Sequence, residues 1–517
     1  MSHSGGVVAA GHELTAEAAA DVLREGGNAF DAVLSALTAA CVVEPVLASL
    51  GGGAFLLARP TAEKPRIYDS FVQTPRHRRA ESEIDFHPVM VDFGTATQEF
   101  HIGRGSVAIP GLVRGMFEVH QDLCSMPMTD IVAQAVAHAK QGVRITPFQA
   151  FVFDILSDIY MATPSSAAIF GSRRRDGHAV VEDEILCQPE LADVLEVLAR
   201  EGVDLFYRGE IATRLVSDMR DGGHLTQSDL DAYTVERRHP FESDYGDARF
   251  FTNPPPSSGG VLIAFALELL KKQRPDRLQF GSAAHVQLLG RAMDLTSQAR
   301  LRAQRDTGTT HLDADRLFDT SFIAPYIEQL NSHPKARSGT THISVIDAGG
   351  NIASLSVSNG EGSAYVIPGT GVTLNNMLGE EDLNPNGFHQ WPGDMRMTSM
   401  MAPTIVEHTD GRVIATGSGG SNRLRTAILQ VLVNLLDFDM DVQSAVTSPR
   451  LHFENGVLSV EGGFEHERIQ AALEHFPKCQ LWNEMNLFFG GAHTVMTMGK
   501  DFFGSGDPRR NGVCVVV

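Results

Sequence analysis

Apolar positions change their spacing several times along this chain, and the changes mark out its elements. Near the start, Thr15 is placed to cap a helix running through Ala18 to Glu25, which Gly26-Gly27 end. Asn28, with Asp31 three residues on, can open a second helix that stops near Glu44-Pro45. Within it Ala32 to Val43 carries no charge, yet is shorter than the roughly 20 residues of a membrane span, so it reads as a buried helix. The run Leu50-Gly51-Gly52-Gly53-Ala54-Phe55-Leu56-Leu57 is a glycine turn feeding an apolar strand. It lacks the Gly-Lys-Ser/Thr of a phosphate loop, which argues against nucleotide binding.

From Gly111 to about Ala303 the pattern is mainly helical, including Met128 to Gln141, Leu191 to Gly202 and Thr226 to Tyr233. Asn253 to Gly260, with three prolines and two glycines, separates a strand Ala248 to Thr252 from a helix Val261 to Lys272; it is open to two readings, a rigid active-site wall or a connector, and spacing alone favours the connector. Asn331 to Gly339 is polar and rich in breakers and reads as an exposed linker. Beyond it the period becomes two: Thr341 to Ile346 and Ile352 to Ser358 alternate around Asp347-Ala348-Gly349-Gly350-Asn351, a hairpin signature. Later, Val413 to Thr416 reads as a strand, Gly417 to Asn422 as a glycine turn and Arg423 to Leu436 as a helix. The shift at the linker suggests segments 1–339 and 340–517, whose strands are free to share one sheet.

Charge narrows the partners. With 63 acidic against 42 basic residues the net charge is -21, a field that repels phosphate backbones and anionic membrane surfaces, so neither nucleic acid nor a membrane is expected. Met1 to Gly6 has neither a basic stretch nor an apolar core, so no secretory signal is visible and a cytoplasmic location is expected. Five scattered cysteines without CxxC spacing argue against a disulfide framework or a zinc site.

The candidate chemistry lies where linker meets hairpin, at Gly339-Thr340-Thr341-His342. If the Gly339–Thr340 bond were cut, Thr340 would carry a hydroxyl nucleophile and, in its α-amine of pKa roughly 7.7 to 8.0, its own base. Before the cut the same hydroxyl can attack the Gly339 carbonyl and shift the chain to an ester that water opens. Gly417 to Asn422, between strand and helix, aims several backbone N–H groups one way, a site for a developing oxyanion; the spacing misses GxGxxG.

In ordered combination the chain resembles the γ-glutamyltransferase (γ-glutamyltranspeptidase) family of N-terminal nucleophile hydrolases. The resemblance rests on Gly26 to Ala32, Leu50 to Gly53, Pro254 to Gly260, Thr340-Thr341-His342, Leu374-Asn375-Asn376, Ala402 to Ile405 and Gly417 to Gly420. It implies an α+β fold, a four-layer αββα sandwich, with autocleavage before Thr340 into a large subunit, 1–339, and a small one, 340–517. It marks Thr340 as nucleophile, the amides of Gly420 and Ser421 as the oxyanion hole, and Ser358 as the hydroxyl beside the nucleophile's amine. No metal or organic cofactor is implied, and His342 reads as a packed strand residue rather than a base.

The substrate pocket departs from the family. The motif Asp-Phe-Arg-Glu-x-Ala-Pro, whose arginine holds the glutamyl α-carboxylate, stands here as Asp69 to Pro75 with Phe71 in the arginine's place. The paired serines become Ser399-Met400, and the aspartate that binds the α-amine becomes Glu380; Asn359 completes the expected substrate contacts. An aromatic ring cannot replace a bidentate guanidinium, so glutathione is a doubtful substrate unless Arg76, Arg78 or Arg79 supplies a cation. The short segment Leu383 to Asp394 suggests an open site. The expected activity is a γ-glutamyltransferase-like amidohydrolase acting on a small amide or peptide, with an acyl-enzyme resolved by water or an amine. The alternatives are a cephalosporin-acylase-like amidase for other acyl groups, or a non-catalytic binding relative. The two subunits of one precursor are the expected partners, an arrangement compatible with a homo-oligomer.

Overall fold

A computed structural model describes residues 5–61, 63–92, 97–271, 273–307, 312–329, 340–384, 386–454 and 456–517. The linker expected at 331–339 and Lys272 lie outside these residues.

The alternating segments pair into two antiparallel sheets. The first runs in the order Val513–Val516, Gly6–Ala10, Thr341–Asp347, Ile352–Ser358, Gly53–Arg59, Arg66–Ser70 and Glu236–Arg238. The second runs Asp501–Ser505, Gly491–Met498, Arg412–Gly419, Thr404–His408, Ala248–Thr252 and Phe241–Tyr245. Strands from before and after residue 340 therefore share both sheets, and a cut there leaves two chains in one fold.

Side-chain parity assigns the faces. Val8, Ala10, Leu56, Ile343, Val345 and Leu355 pack in the core that also holds helices Glu13–Arg24 and Ala29–Val43. Their neighbours Val7, Ala9, Phe55 and Leu57 turn to the core shared with the second sheet, whose far side is covered by Gly259–Leu270 and Asn422–Leu436. Burial on both faces explains why these strands read as nearly continuous apolar runs. The result is the expected αββα layering.

Between the sheets Ile346 and Ile352, nearest the hairpin turn, are apolar, while His342, Ser344, Ser354 and Ser356 are polar and hydrogen-bonded. His342 bonds to Ser356 Oγ (2.8 Å) and Ser344 Oγ (2.9 Å), and the Ser354 hydroxyl donates to the Thr416 carbonyl (3.1 Å). The hairpin turn is tied to the helical layer by Asp347, which accepts the N–H of Asn351 (2.9 Å) and of Ala29 (2.8 Å).

Three expectations need correction. Thr15 is not a cap: the helix starts at Glu13, His12 Nδ1 accepts the Leu14 N–H (3.1 Å), and the Thr15 hydroxyl donates to Glu44 (2.7 Å). The stretch Met128 to Gln141 is two helices, Met128–Ile131 and Ala133–Gln141, meeting at Val132. The glycine turn is shorter than expected, because the strand continues through Gly419. Gly417 and Gly419 are there for close approach rather than for turning. A Cβ on Gly417 would stand 2.3 Å from the His342 ring, and one on Gly419 1.7 Å from the Thr340 carbonyl oxygen. Asn28 does form the capping box with Asp31, and the helix Ala29–Val43 ends at Glu44 as expected.

Candidate active site

Thr340 immediately precedes the strand Thr341–Asp347, and its carbonyl accepts from Arg510 Nη1 (3.3 Å). Thr341 pairs with Val357, so one more step of the same register sets Thr340 opposite Ser358. Parity puts both on the face between the sheets. Both line one cavity, together with Phe71, Glu380, Ser399, Met400 and Ser421. Residues separated by more than 300 positions in the chain thus meet around one hydroxyl.

The end of Arg412–Gly419 turns sharply through Gly420 (φ 111°) and Ser421 (φ 54°) into the 15-residue helix Asn422–Leu436. A positive φ at a serine is costly backbone geometry, and it lies where the helix head meets the cavity. Such a helix start favours a developing negative charge.

Phe71 is a fixed wall. Its ring stacks on Phe55 (centroids 5.2 Å, 25°), and its carbonyl accepts from Tyr233 Oη (2.7 Å) and from Arg396. Asp69, two residues before it, accepts the Phe71 N–H (3.1 Å) and pairs with Arg238 (2.8 Å). Ser399 Oγ accepts the Met401 N–H (3.0 Å), and Met400 Sδ accepts from Ser258 Oγ (3.5 Å). Asn253 to Gly260 is therefore a wall of the site rather than a connector: Ser258 lines the cavity, and its N–H donates to the Ser399 carbonyl (2.8 Å). Asn359, placed among the substrate contacts by resemblance, is fully buried and is not one of the lining residues; its side-chain atoms have no hydrogen-bond partner among the described residues.

The cations nearest Phe71 in sequence point elsewhere. Arg76 faces Asp394 (3.4 Å), Arg78 donates to the His389 carbonyl, and Arg79 donates to the Arg220 carbonyl (2.8 Å). The cation that reaches the cavity is Arg300, from the helix Ala283–Thr307, beside Asp382. Sequence reasoning missed it. A long helix with charges around its surface gives no sign of which charge turns inward. Met377 and Asp382 flank Glu380 in the chain, and only the fold shows that they line the same space.

Electrostatics separate the acids by environment. Burial, reinforced by Glu361 and Asp382, holds the Glu380 carboxyl well above the usual carboxylate range. Asp382 is pushed up to about 7 by burial and Glu454, with Arg300 and Arg423 opposing. Glu361 is pushed up to about 7 by burial, against Arg510 and Arg423. His342 is held well below its ordinary value by burial and His493, so it is a neutral, packed strand residue. Behind the nucleophile position, Glu44 accepts from Thr341 Oγ (3.2 Å), and burial raises its pKa.

The raised Glu380 pKa has a stability consequence. The folded chain keeps a proton that the unfolded chain releases above roughly pH 4.3, so the group costs stability as pH rises from there toward its folded pKa. Glu380→Gln is therefore expected to melt above the unaltered protein at pH 8, with the difference shrinking toward pH 4. Melting curves at the two pH values check this; a difference independent of pH would count against a buried, protonated Glu380.

Two facing antiparallel sheets between helical layers, with a threonine at the head of an inner strand, make the αββα architecture of the N-terminal nucleophile hydrolases. The chain belongs to the gamma-glutamyltranspeptidase family, which matches residues 15–517. It is similar to the Acylase ACY 1 proenzyme of Pseudomonas sp. (strain SE83), 30% identical over 488 residues that cover 91% of this chain and 87% of that protein. It is also similar to the Glutathione hydrolase proenzyme of Bacillus subtilis (strain 168), 27% identical over 507 residues, 89% of this chain and 85% of that one. Among solved structures, cephalosporin acylase from Bacillus halodurans superposes with a TM-score of 0.83 over 99% of this chain and 96% of that one. At 23% identity that likeness speaks for the fold. The chain is an enzyme of this family.

Proposed function

We propose that the chain is an autoprocessing threonine amidohydrolase. Thr340 Oγ attacks the Gly339 carbonyl, the peptide shifts to an ester, and water opens it to leave a Gly339 carboxylate and a free Thr340 amine. That amine then takes the hydroxyl proton as Oγ attacks a substrate amide. The oxyanion develops toward the amides of Gly420 and Ser421, and the leaving amine carries the proton away. Water or a second amine resolves the ester. The observation that supports this most is the shared cavity face of Thr340 and Ser358 beside the helix head at Ser421. The proenzyme relatives are in keeping with a large subunit ending at Gly339 and a small one beginning at Thr340.

The substrate is a γ-glutamyl or related amide. Phe71 favours a second reading, an acylase for groups without the glutamyl head, because it puts an apolar ring where a carboxylate needs a guanidinium. A protonated Glu380 is likewise a weak partner for an ammonium. Both readings are tested by offering the matured enzyme γ-glutamyl, glutaryl and simple acyl p-nitroanilides in parallel. We expect weak γ-glutamyl turnover, with the preference narrowed or inverted against glutaryl, and Phe71→Arg, shown to be folded and cut, shifting it back. A hundredfold preference for γ-glutamyl in the unaltered enzyme, roughly 2.7 kcal/mol, would mean that another cation does the arginine's work. A binding relative without catalysis would turn over none of the three.

A further inference from the structure

The cavity that holds Thr340 also holds a guanidinium left without an ion pair among the described residues, that of Arg300. On the helix Ala283–Thr307, Ser297, Arg300 and Gln304 stand at i, i+3 and i+7, one face of a helix. Ser297 Oγ accepts from Arg425 (2.8 Å), and Arg300 and Gln304 line the cavity further along that face. The next positions turn outward: Leu301 is 48% exposed, and Arg302 faces Asp306 (3.9 Å).

The acids that act on Arg300 are held by other groups. Glu454 meets His452 (3.0 Å) and Arg425 (3.8 Å), and Asp382 accepts from Asn422 Nδ2 (3.3 Å). Arg300 Nε is buried and has no hydrogen-bond partner among the described residues. Burial lowers the Arg300 pKa from its ordinary value, yet a guanidinium keeps its proton at neutral pH. The same burial pushes Asp382 up to about 7 and holds Glu380 well above the usual carboxylate range, so neither balances the cation fully. In a chain of net charge -21, this cavity is short of negative charge. A buried charge without a partner is costly, and a ligand that brings the partner removes that cost.

We propose that Arg300 is a specificity residue for the acyl group: it pairs with a carboxylate on the acyl chain, so the preferred substrates are amides of dicarboxylic acids without the α-ammonium of a glutamyl head. This rests on the acyl-enzyme reading above and names its substrate class. Phe71, Met377, Leu383 and Met400 line the same space and suit the methylene groups between the two ends of such a chain. An α-ammonium in that space would meet an aromatic ring and a protonated Glu380, neither of which replaces the water it gives up. The anchoring cation thus comes from a helix far in sequence from Asp69 to Pro75, where Phe71 stands.

The test is a ratio measured on matured enzyme. Glutaryl and pentanoyl p-nitroanilides have acyl chains of one length, ending in a carboxylate in the first and a methyl group in the second. In the unaltered enzyme kcat/KM for glutaryl should exceed that for pentanoyl at least about tenfold, the scale of one hydrogen bond to a charged group. Arg300→Gln should bring the two within about twofold of each other, mainly through a raised KM for glutaryl, and Arg300→Lys should fall between. Poorer maturation alone would lower both rates and leave the ratio where it was. If Arg300→Gln does not mature, glutarate and pentanoate are compared as inhibitors of the unaltered and Arg300→Lys enzymes. Glutarate should then inhibit the unaltered enzyme at least about tenfold better, with a narrower margin in the lysine enzyme. A glutaryl preference absent from the unaltered enzyme, or undiminished in Arg300→Gln, overturns the assignment, as does an inhibition margin that lysine leaves unchanged. An unaltered protein that turns over neither anilide contradicts the acyl-enzyme reading instead.

Discussion

Thr340→Ala is expected to remain a single chain near 56 kDa and to hydrolyse none of the amides, whereas the unaltered protein separates under denaturing conditions into segments 1–339 and 340–517. One oxygen serves both steps, so its removal stops maturation and turnover together. Removing a catalytic nucleophile elsewhere costs on the order of a millionfold in rate, which leaves no measurable activity here. Denaturing gels and amino-terminal sequencing read the outcome. An alanine protein still cut before residue 340 would show that the cleavage is not performed by this hydroxyl.

Gly419→Ala should slow maturation strongly without touching a reacting group. The added methyl would sit 1.7 Å from the Thr340 carbonyl oxygen and 3.3 Å from Arg510 Nη1. The first of these is backbone and cannot swing aside, so either the strand end or Thr340 must move. A displacement of about 1 Å at a reacting group costs on the order of a hundredfold. The expected protein is folded by circular dichroism but cut at least about a hundredfold more slowly, followed as a time course after purification. Normal maturation and turnover in the alanine protein would mean that the contact between the two sheets does not position the nucleophile.

Much of this arrangement was legible because its signals are local. The hairpin Thr341–Asp347 to Ile352–Ser358 announced itself by alternation and by the Asp-Ala-Gly-Gly-Asn turn, and Asn28 with Asp31 fixed a helix start to the residue. The glycines after Thr416 were harder. Gly417 and Gly419 are two apart, the period of a strand face, and that spacing was the available sign that they belong to a strand pressed against another sheet. What was not legible depends on distant segments meeting. Nothing in the composition of Ala283–Thr307 singles out Arg300, and nothing near the carboxyl end singles out Arg510 as the partner of the Thr340 carbonyl. The proline-rich stretch before Gly259 looked like a connector because its role is set by its bonds to Ser399 and Met401, more than 140 residues away.

Intact-mass spectrometry of the matured protein, quenched in acid after mixing with its preferred p-nitroanilide, bears on the nucleophile itself. The predicted result is a small subunit that begins at Thr340 and is heavier by one acyl group, with peptide mapping placing the addition on the Thr340 side chain. A small subunit that begins at another residue, or an acyl group carried by any residue other than Thr340, would contradict it.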